Sequence, residues 1–399
     1  MRVDLMTKEY PPEIYGGAGV HAAELVKALR ALGGLDVRVR AFGAPRDEAG
    51  TTAYSVPVEL QGANAAIQTL GTDLEIATDA AGADVVHSHT WYANFAGHLS
   101  SLLHGVPHIV TAHSLEPLRP WKAEQLGGGY AVSSWIEKTA YEGAAAVVAV
   151  SEGMRDDILR CYPELDPAKV RVIYNGIDVE AWHPVHDPEL LAKLGVDADK
   201  PSVVFVGRIT RQKGLPYFLR AAERLPADVQ VVLCAGAPDT PQIMAEVEDL
   251  VRGLQETRGG VVWIDRMLSR HELCTILGSA TTFVCPSVYE PLGIVNLEAM
   301  ACGAAVVGTA TGGIPEVVED GVTGRLVPIE QVQDGTGTPL DPERFVADLA
   351  AVLTEVVSDP ERAAEYGRAG RARAANEFSW GRIAEQTAAL YAEVTTGGR

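Results

Sequence analysis

Residues 290–298 read Glu-Pro-Leu-Gly-Ile-Val-Asn-Leu-Glu, and this stretch predicts a short loop that opens into a helix. Good helix formers continue to Cys302, and the glycine that follows is a common helix stop. Gly293 allows the backbone to approach a ligand closely, and the free N–H groups of the first helical turn favour an anion such as phosphate. Glu290 lies just outside this helix end, and Glu298 lies about one turn inside it. One carboxylate could therefore hold a sugar hydroxyl and the other a ribose, with a diphosphate between them.

The spacing of these two carboxylates is weak evidence by itself. A chain with 53 acidic residues among 399 contains about seven such pairs by chance. Two carboxylates near a helix start are also explained by a favourable interaction with the helix dipole. The choice between these interpretations therefore depends on the other motifs of the chain.

Length, composition and charge limit the possible functions. A chain of 399 residues is long enough for two domains, and its 47% hydrophobic content is typical of globular proteins. No apolar run approaches the ~20 residues of a membrane helix, and the acidic first residues do not resemble a signal peptide. Five cysteines without a C-x-x-C pair indicate reduced thiols, so we expect a cytoplasmic protein with no membrane partner. The net charge of −20 argues against nucleic-acid binding but permits small anionic ligands held by local cations.

Strand and helix patterns alternate twice along the chain, which predicts an α/β fold with two doubly wound, parallel, Rossmann-like sheets. In the first block the predicted strands are Val3–Thr7, Leu35–Ala41, Asp84–Ser88, His108–Ala112, Ala145–Val150 and Val170–Ile173. In the second block they are Ser202–Val206, Val231–Ala235, Val261–Ile264, Thr281–Cys285, Ala305–Gly308 and Arg325–Val327. We place the N-terminal domain at residues 1–178 and the C-terminal domain at 179–379, with a terminal helix in 380–399. Strand ends of both domains are expected to face an interdomain cleft, where ligands bind.

A glycine-rich segment, Tyr10-Pro-Pro-Glu-Ile-Tyr-Gly-Gly-Ala-Gly-Val-His21, lies between the first predicted strand and the first helix. The pattern Gly-x-Gly-x-x-Ala that begins at Gly17 imitates a dinucleotide-binding fingerprint. That fingerprint needs its first glycine directly after the strand and an acidic residue near the end of the next strand. Here Lys8 to Tyr15 intervene and the second strand carries arginines, which disfavours NAD binding. A Gly-Gly turn that faces a ligand, or a plain helix-entry turn, explains the segment better.

A histidine and two cations also follow predicted strands. His113 ends the strand Val110-Thr-Ala and is expected at the rim of the cleft, although a lone histidine is most often structural. Arg208 and Lys213 follow the first strand of the second domain, and a glycine flanks each of them. Their segment lacks the G-K-[ST] ending of an ATP-binding loop. A bidentate arginine and a compact lysine charge suit a diphosphate, and a solvated pair of surface cations is the alternative.

The sequence does not predict a metal site. His87 and His89 stand two positions apart, but no carboxylate or cysteine completes a ligand set at suitable spacing. The D-x-D pattern Asp197-Ala-Asp199 lies in a polar segment and is expected to be a solvated loop. The charge of a leaving group would instead be met by the two cations and the helix end, which is electrostatic stabilisation without a metal.

Four strings of the chain resemble glycosyltransferase family 4, which has the GT-B fold, and in particular its actinobacterial branch of glycogen synthases and α-maltose-1-phosphate synthases. These strings are Glu9-Tyr-Pro-Pro-Glu-Ile-Tyr-Gly-Gly-Ala-Gly19, His87-Ser-His-Thr-Trp-Tyr92, Thr111-Ala-His-Ser-Leu-Glu-Pro117 and Leu118-Arg-Pro-Trp-Lys122. The segments 207–214 and 290–298 resemble the G-R…K-G and E-x7-E elements of such enzymes. The chain departs from the larger bacterial glycogen synthases, which carry a lysine in a K-x-G-G-L loop and usually an aspartate where Thr90 stands.

The resemblance implies a role for each motif. It implies three catalytic elements: His113 touching the 6-hydroxyl of the donor sugar, Arg208 and Lys213 gripping the diphosphate, and Glu290 facing the reacting sugar. Donor contacts are expected from Gly16, Gly17, Gly293, Ile294, Glu298, Arg266, Met267 and Asn175, of which residues 266 and 267 would lie beside the base. Acceptor contacts are expected from a proline-stiffened loop with Arg119, Trp121 and Lys122, for which an exposed basic loop is the alternative. The terminal helix is expected to cross back onto the first domain.

The resulting prediction is a retaining α-1,4-glucosyltransferase that moves glucose from ADP-glucose to glucose 1-phosphate and makes maltose 1-phosphate in α-glucan (glycogen) biosynthesis. Retention by front-side departure follows from the resemblance, and no cofactor besides the nucleotide sugar is expected. Elongation of α-1,4-glucan ends is the alternative within the same class. The alternatives from other classes are an NAD(P)-dependent dehydrogenase and a non-catalytic sugar-nucleotide-binding protein. A homodimer is compatible with the sequence, which does not fix the oligomeric state.

Overall fold

Parallel sheets form the centre of both halves of the chain. The computed structural model describes residues 1–332 and 334–396, apart from the side chains of Glu124 and Gln125. Its internal contacts divide the chain into unit 1, Met1–Gly176 with Trp380–Arg399, and unit 2, Ile177–Ser379. The division falls at 176/177, where the sequence predicted 178/179.

Thirteen strands form the two sheets of the described chain. The strands of unit 1 are β1 Arg2–Thr7, β2 Asp36–Phe42, β3 Thr51–Tyr54, β4 Val85–His89, β5 His108–Ala112, β6 Ala146–Ala149 and β7 Val170–Val172. The strands of unit 2 are β8 Ser202–Arg208, β9 Gln230–Gly236, β10 Val261–Ile264, β11 Thr282–Cys285, β12 Ala305–Thr309 and β13 Gly324–Val327. All are parallel, in the orders β3-β2-β1-β4-β5-β6-β7 and β10-β9-β8-β11-β12-β13. Each order reverses beside the first strand of its unit, and ligands of such sheets bind at this point.

Helices connect the parallel strands, as crossover connections require. In chain order they are α1 Gly17–Leu32, α2 Ala65–Asp79, α3 Thr90–His104, α4 Lys122–Leu126, α5 Gly129–Gly143, α6 Glu152–Cys161, α7 Pro188–Lys193, α8 Leu215–Ala222, α9 Pro241–Thr257, α10 Arg270–Ser279, α11 Ile294–Ala301, α12 Ile314–Val317, α13 Pro342–Val357, α14 Pro360–Glu377 and α15 Trp380–Thr396. Short 3₁₀ turns lie at Val58–Leu60, Glu116–Leu118, Pro167–Lys169 and Arg211–Lys213. Among the described residues no helix combines the length and apolar character needed to span a membrane.

The terminal helix belongs to the core of unit 1. Trp380, Ile383 and Tyr391 of α15 are buried in the same cluster as Leu5 of β1 and Leu25 of α1. The chain thus returns to its first unit after completing the second. Helix α15 ends at Thr396, and the last residues of the predicted helix 380–399 lie outside the described part of the chain.

Candidate active site

Two loops of unit 2 are locked together and place a buried ion pair at the strand ends. The turn Arg211–Lys213 after β8 is followed by Gly214, whose φ is +63°, and a Cβ on this residue would lie 1.9 Å from the Pro286 carbonyl oxygen. The Val288 N–H also donates to the Gln212 carbonyl oxygen at 2.9 Å. Only glycine allows this approach, and it brings the turn after β8 against the loop after β11.

The ion pair joins Lys213 and Glu290, two of the predicted catalytic residues. The distance between Lys213 Nζ and Glu290 Oε2 is 2.7 Å, and the Ser287 hydroxyl donates to the same oxygen at 2.9 Å. Burial alone would lower the pKa of Lys213, but the charge and hydrogen bond of Glu290, together with Cys285, outweigh it and the pKa is raised. Lys213 is therefore a fixed positive charge, and Glu290 is the group that holds it in place.

Arg208, the last residue of β8, is held in a similar way. Its guanidinium Nη2 lies 2.5 Å from Asp239 Oδ1, and 39% of the Arg208 side chain is exposed compared with 9% of Asp239. Part of the guanidinium group is therefore available to a further anion, because the carboxylate uses only some of its donors. The two cations predicted from the sequence thus lie at the end of β8 and in the turn that follows it.

Helix α11 begins as predicted. Gly293 precedes it with a φ of +92°, and a Cβ here would lie 2.4 Å from the side-chain nitrogen Nδ2 of Asn296. Within the described chain no acceptor is bound to the N–H groups of Ile294 and Val295. These two groups and the helix dipole are suited to bind an anion.

Glu298 lies in the second half of α11 and differs from Glu290. Its carboxylate has no hydrogen-bond or ion-pair partner among the described residues. Burial raises the pKa of Glu298 to about 7, although the charges of Arg270 and Lys213 oppose the shift. A half-buried carboxylate without donors is suited to accept hydrogen bonds from the hydroxyls of a ribose.

The residues predicted beside the base lie on the surface of unit 2. Met267 is 83% exposed, and Arg266 is paired with Glu272 at 2.5 Å. Glu272 also completes a capping box with Ser269 at the start of α10. Base contacts by residues 266 and 267 stay a prediction.

In unit 1 the N-terminus of α1 already carries a carboxylate. Glu9 Oε2 accepts hydrogen bonds from the N–H groups of Tyr15 at 3.1 Å and Gly16 at 2.8 Å. Gly16 is the residue before the helix, and Gly17 is its first residue. A phosphate contact by Gly17 uses an N–H group that Glu9 does not bind, whereas one by Gly16 competes with Glu9. The sequence analysis did not identify this carboxylate.

A cluster of neutral histidines lies at the ends of β4 and β5. His89 Nδ1 lies 3.0 Å from His113 Nε2, and the ring of His21 on α1 packs against both. Burial lowers the pKa of His21 to about 4 and holds the pKa values of His89 and His113 well below the usual range. His113 is therefore uncharged at neutral pH and is suited to a hydrogen bond with a sugar hydroxyl.

Two of the other sequence-selected residues support this cluster. His87 is bonded on both sides, through Nδ1 to the Tyr391 hydroxyl at 2.8 Å and through Nε2 to the Thr111 hydroxyl at 2.7 Å. Asn175 lies in unit 1, where its Oδ1 is 2.6 Å from His21 Nδ1. The predicted donor contact of Asn175 stays a prediction, since its amide oxygen is already used.

The predicted acceptor loop is fixed by buried carboxylates. Glu137 Oε1 accepts from the Glu116 N–H at 2.8 Å, and the Ser133 hydroxyl donates to Glu116 Oε2 at 2.6 Å. Arg119 donates to the Ser114 hydroxyl at 2.9 Å, and its Nε is buried without a partner among the described residues. Trp121 and Lys122 follow at the start of α4.

Lys8 is a further cation that the sequence analysis did not select. It follows β1, and its Nζ lies 3.8 Å from the centre of the Tyr92 ring. Burial lowers the pKa of Lys8 in spite of the neighbouring Glu9, and in the described chain no carboxylate oxygen is within 4 Å of its Nζ. The Arg119 charge also acts on Tyr92, whose pKa burial nonetheless raises. Both cations therefore act on the same tyrosine.

The D-x-D segment behaves as a solvated turn. Asp197 accepts from the Asp199 N–H at 3.1 Å and pairs with exposed Lys200 at 3.2 Å. Hydrogen bonding by the Asp199 N–H lowers the pKa of Asp197. This agrees with the solvated loop expected from its polar neighbourhood.

Comparison with known proteins gives family matches in both units. Residues 15–181 match the model of Glycosyltransferase Family 4, and residues 200–355 match the model of Glycosyl transferases group 1. The chain is 59% identical to an α-maltose-1-phosphate synthase of Mycolicibacterium smegmatis over 99% of its own length and 100% of the relative. It is 55% identical to the α-maltose-1-phosphate synthase of Mycobacterium tuberculosis (strain H37Rv), again over 99% and 100%.

Solved structures show the same fold at low identity. The sucrose-phosphate synthase of Thermosynechococcus elongatus superposes with a TM-score of 0.79 at 23% identity and covers 99% of both chains. The Anabaena protein HepE in complex with UDP-glucose gives a TM-score of 0.77 at 21% identity and covers 98% of this chain and 99% of its own. With two parallel-sheet Rossmann-like units, the fold class predicted from the sequence is confirmed.

Proposed function

Because the chain belongs to glycosyltransferase family 4, we propose that it is a retaining α-1,4-glucosyltransferase that moves glucose from ADP-glucose to glucose 1-phosphate. The observation that carries this proposal is the match to α-maltose-1-phosphate synthases over their whole length. Maltose 1-phosphate is then the product, and α-glucan (glycogen) synthesis its use. The nucleotide sugar is the co-substrate, and the protein acts in the cytoplasm.

The proposed donor site lies in unit 2. Arg208, Lys213 and the N–H groups at the start of α11 bind the diphosphate, and Glu298 binds the ribose. As the bond between glucose and phosphate breaks, negative charge grows on the diphosphate, so these fixed positive groups stabilise the transition state more than the ground state. Glu290 contributes through Lys213, which it holds at 2.7 Å.

His113 is proposed to orient the sugar. Its neutral ring offers one hydrogen bond to the 6-hydroxyl, and its bond to His89 at 3.0 Å restricts the ring orientation. No residue of this site is proposed as a covalent nucleophile. Retention is instead attributed to front-side departure assisted by the leaving phosphate, as in the family.

The acceptor phosphate is proposed to bind Lys8 and Arg119. Lys8 lies against the Tyr92 ring, the Arg119 charge acts on the same tyrosine, and in the described chain Lys8 has no carboxylate within 4 Å. Arg119 keeps a buried Nε without a partner among these residues. A dianionic phosphate supplies a counter-charge to Lys8 and an acceptor oxygen to Arg119 Nε, while Arg119 Nη1 also lies 3.9 Å from Glu116 Oε1. An uncharged glucan end supplies hydroxyl oxygens but no counter-charge, so this pair of cations favours a phosphorylated acceptor.

A donor–acceptor matrix tests the proposal. ADP-glucose, UDP-glucose and GDP-mannose are each incubated with glucose 1-phosphate, glycogen and an inositol phosphate, and the products are identified by NMR and mass spectrometry. We expect maltose 1-phosphate from ADP-glucose and glucose 1-phosphate. Elongated glycogen without maltose 1-phosphate would show a glucan synthase, and stabilisation by NAD(P) without any transfer would show a dehydrogenase.

Charge removal tests the acceptor site separately. Lys8→Met, and the double variant Arg119→Ala with Lys122→Ala, should each raise KM for glucose 1-phosphate about tenfold, equivalent to ~1.4 kcal/mol, and leave KM for ADP-glucose unchanged. Lys138→Met is the matched control, because this lysine lies on the surface of α5 and pairs with Glu142. Equal losses with an unphosphorylated maltooligosaccharide acceptor would show that these cations do not bind phosphate.

A further inference from the structure

Three histidines from separate elements of unit 1 bring ring nitrogens together. His21 comes from α1, His89 from the end of β4, and His113 from the residue after β5. One ring nitrogen of each residue lies within 4.8 Å of the others. The sequence analysis considered His87 and His89 as a pair and missed His21, which lies far from His89 in the sequence.

Two of these rings carry nitrogens that the described residues leave without a partner. His21 Nε2 and His89 Nε2 are both buried and have no hydrogen-bond partner among them. Asn175 Oδ1 accepts from His21 Nδ1 at 2.6 Å, so the proton of this ring lies on Nδ1 and the lone pair lies on Nε2. A histidine that ligates a metal is typically held in this way, with its other nitrogen donating to an oxygen.

We propose that His21, His89 and His113 form a binding site for a divalent transition-metal ion such as Zn²⁺. Three imidazole nitrogens without a carboxylate suit Zn²⁺, Co²⁺, Ni²⁺ or Cu²⁺ and not Mg²⁺ or Ca²⁺, which require oxygen ligands. A tetrahedral ion bound by three histidines retains one open position for a water or an anion. The ion takes the place of the hydrogen bond between His89 and His113 and gives His21 Nε2 a partner that the described residues do not supply.

Metal binding and sugar transfer compete in this proposal. The ion occupies His113, which under the proposed function holds the donor sugar, so the loaded protein is an inactive form. The site therefore acts as an inhibitory metal site and contributes nothing to the transfer itself. This consequence rests on the proposed function, whereas metal binding by the three histidines does not.

Titration of the full-length, metal-free protein with Co²⁺ and Zn²⁺ tests the site without any sugar nucleotide. Visible absorption of four-coordinate Co²⁺ reports the ligand geometry, and calorimetry with Zn²⁺ gives the stoichiometry and affinity. His21→Gln removes one ligand. His104→Gln is the control, because His104 lies on α3 of the same unit and bonds to the Ala77 carbonyl oxygen at 2.9 Å. His89→Gln provides a second site variant in case the first does not fold, and thermal unfolding checks each protein.

We expect one Zn²⁺ per chain in the wild type and in His104→Gln, with affinity at least tenfold weaker in His21→Gln or His89→Gln. Zn²⁺ should inhibit transfer in the first two proteins at concentrations that leave His21→Gln active. Equal Zn²⁺ affinity in all folded variants, or no Co²⁺ absorption in the wild type, would overturn the site. If no donor and acceptor support transfer, the proposed function fails while the Co²⁺ result still decides the site.

Discussion

Replacing Lys213 with methionine should lower both the stability and the turnover of the protein, because Lys213 is the counter-ion of a buried carboxylate. Glu290 is only 7% exposed, and its Oε2 lies 2.7 Å from Lys213 Nζ. Lys213→Met keeps most of the side-chain volume and removes the charge. Glu290 then retains one hydrogen bond, from Ser287, and no cation within 4 Å among the described residues.

The magnitude follows from the geometry of the pair. At 2.7 Å the gross attraction is ~6 kcal/mol with an effective dielectric constant of ~20. Desolvation offsets part of it, and removal of one partner from a buried pair typically costs ~3–5 kcal/mol. The Lys213 side chain keeps 22% exposure, so we expect a value near ~3 kcal/mol. Because the folded pKa of Lys213 is raised above 10.5, this contribution is fully present at neutral pH and is lost only as pH rises through that folded value.

Denaturant unfolding and steady-state kinetics separate the two effects. The single variant should also lose about 10²–10³-fold in kcat, since a charge on the leaving diphosphate is no longer stabilised. Lys213→Met combined with Glu290→Gln should recover most of the stability, because no buried charge is left unpaired, but not the turnover. Lys200→Met is the control, since Lys200 belongs to an exposed pair and should cost at most ~1 kcal/mol. A loss below ~1 kcal/mol with near-normal kcat in Lys213→Met would refute the reasoning.

Four further predictions concern the donor site and the metal dependence of transfer. Arg208→Ala should lower kcat by about 10²–10³-fold in steady-state assays, and a near-normal kcat would remove it from the diphosphate site. Glu298→Gln should raise KM for ADP-glucose more than it lowers kcat, since a ribose contact is similar in ground and transition states; the reverse would mean that Glu298 faces the reacting sugar. Burial raises the pKa of Glu298 from 4.5 to about 7, so the wild type should lose stability relative to Glu298→Gln as pH rises from 4.5 to about 7, by up to about 3 kcal/mol between unfolding at pH 5 and at pH 8. EDTA should leave the initial rate of transfer unchanged, and a rate restored only by Mn²⁺ or Mg²⁺ would return attention to Asp197 and Asp199.

The sheets could be predicted from the sequence because parallel strands buried on both faces are continuous apolar runs. The strand β3, Thr51–Tyr54, was missed because it lacks such an apolar run. It is short, lies at the edge of its sheet and contains two threonines. Helix α11 was predicted because its glycine and its helix formers are adjacent in sequence. Its start at Ile294 and the left-handed Gly293 agree with that prediction.

The partners within the site could not be predicted, because they depend on contacts between distant residues. Lys213 and Glu290 are 77 positions apart, and their pairing depends on the close approach of Gly214 to Pro286. Asn175 and His21 are 154 positions apart. Glu9 was part of a quoted motif, but nothing in its spacing indicates that it binds the N–H groups before α1. Local sequence patterns thus identified most of the charged residues of the site. Which of these residues form ion pairs with one another is determined by the fold.

The acidic composition of the chain and its proposed anionic donor are reconciled by where the carboxylates lie. Asp239 is 9% exposed beside Arg208 at 39%, and Glu290 is 7% exposed beside Lys213 at 22%. In each pair the carboxylate is the more buried partner. It therefore holds the cation from the protein interior, and the solvent-exposed part of the cation can contact a ligand. A diphosphate then binds without displacing the carboxylate, and the cation does not have to be ordered at the moment of binding. The net charge of −20 consequently says little about this site, because the local arrangement of buried acids and exposed bases determines the field that the donor meets.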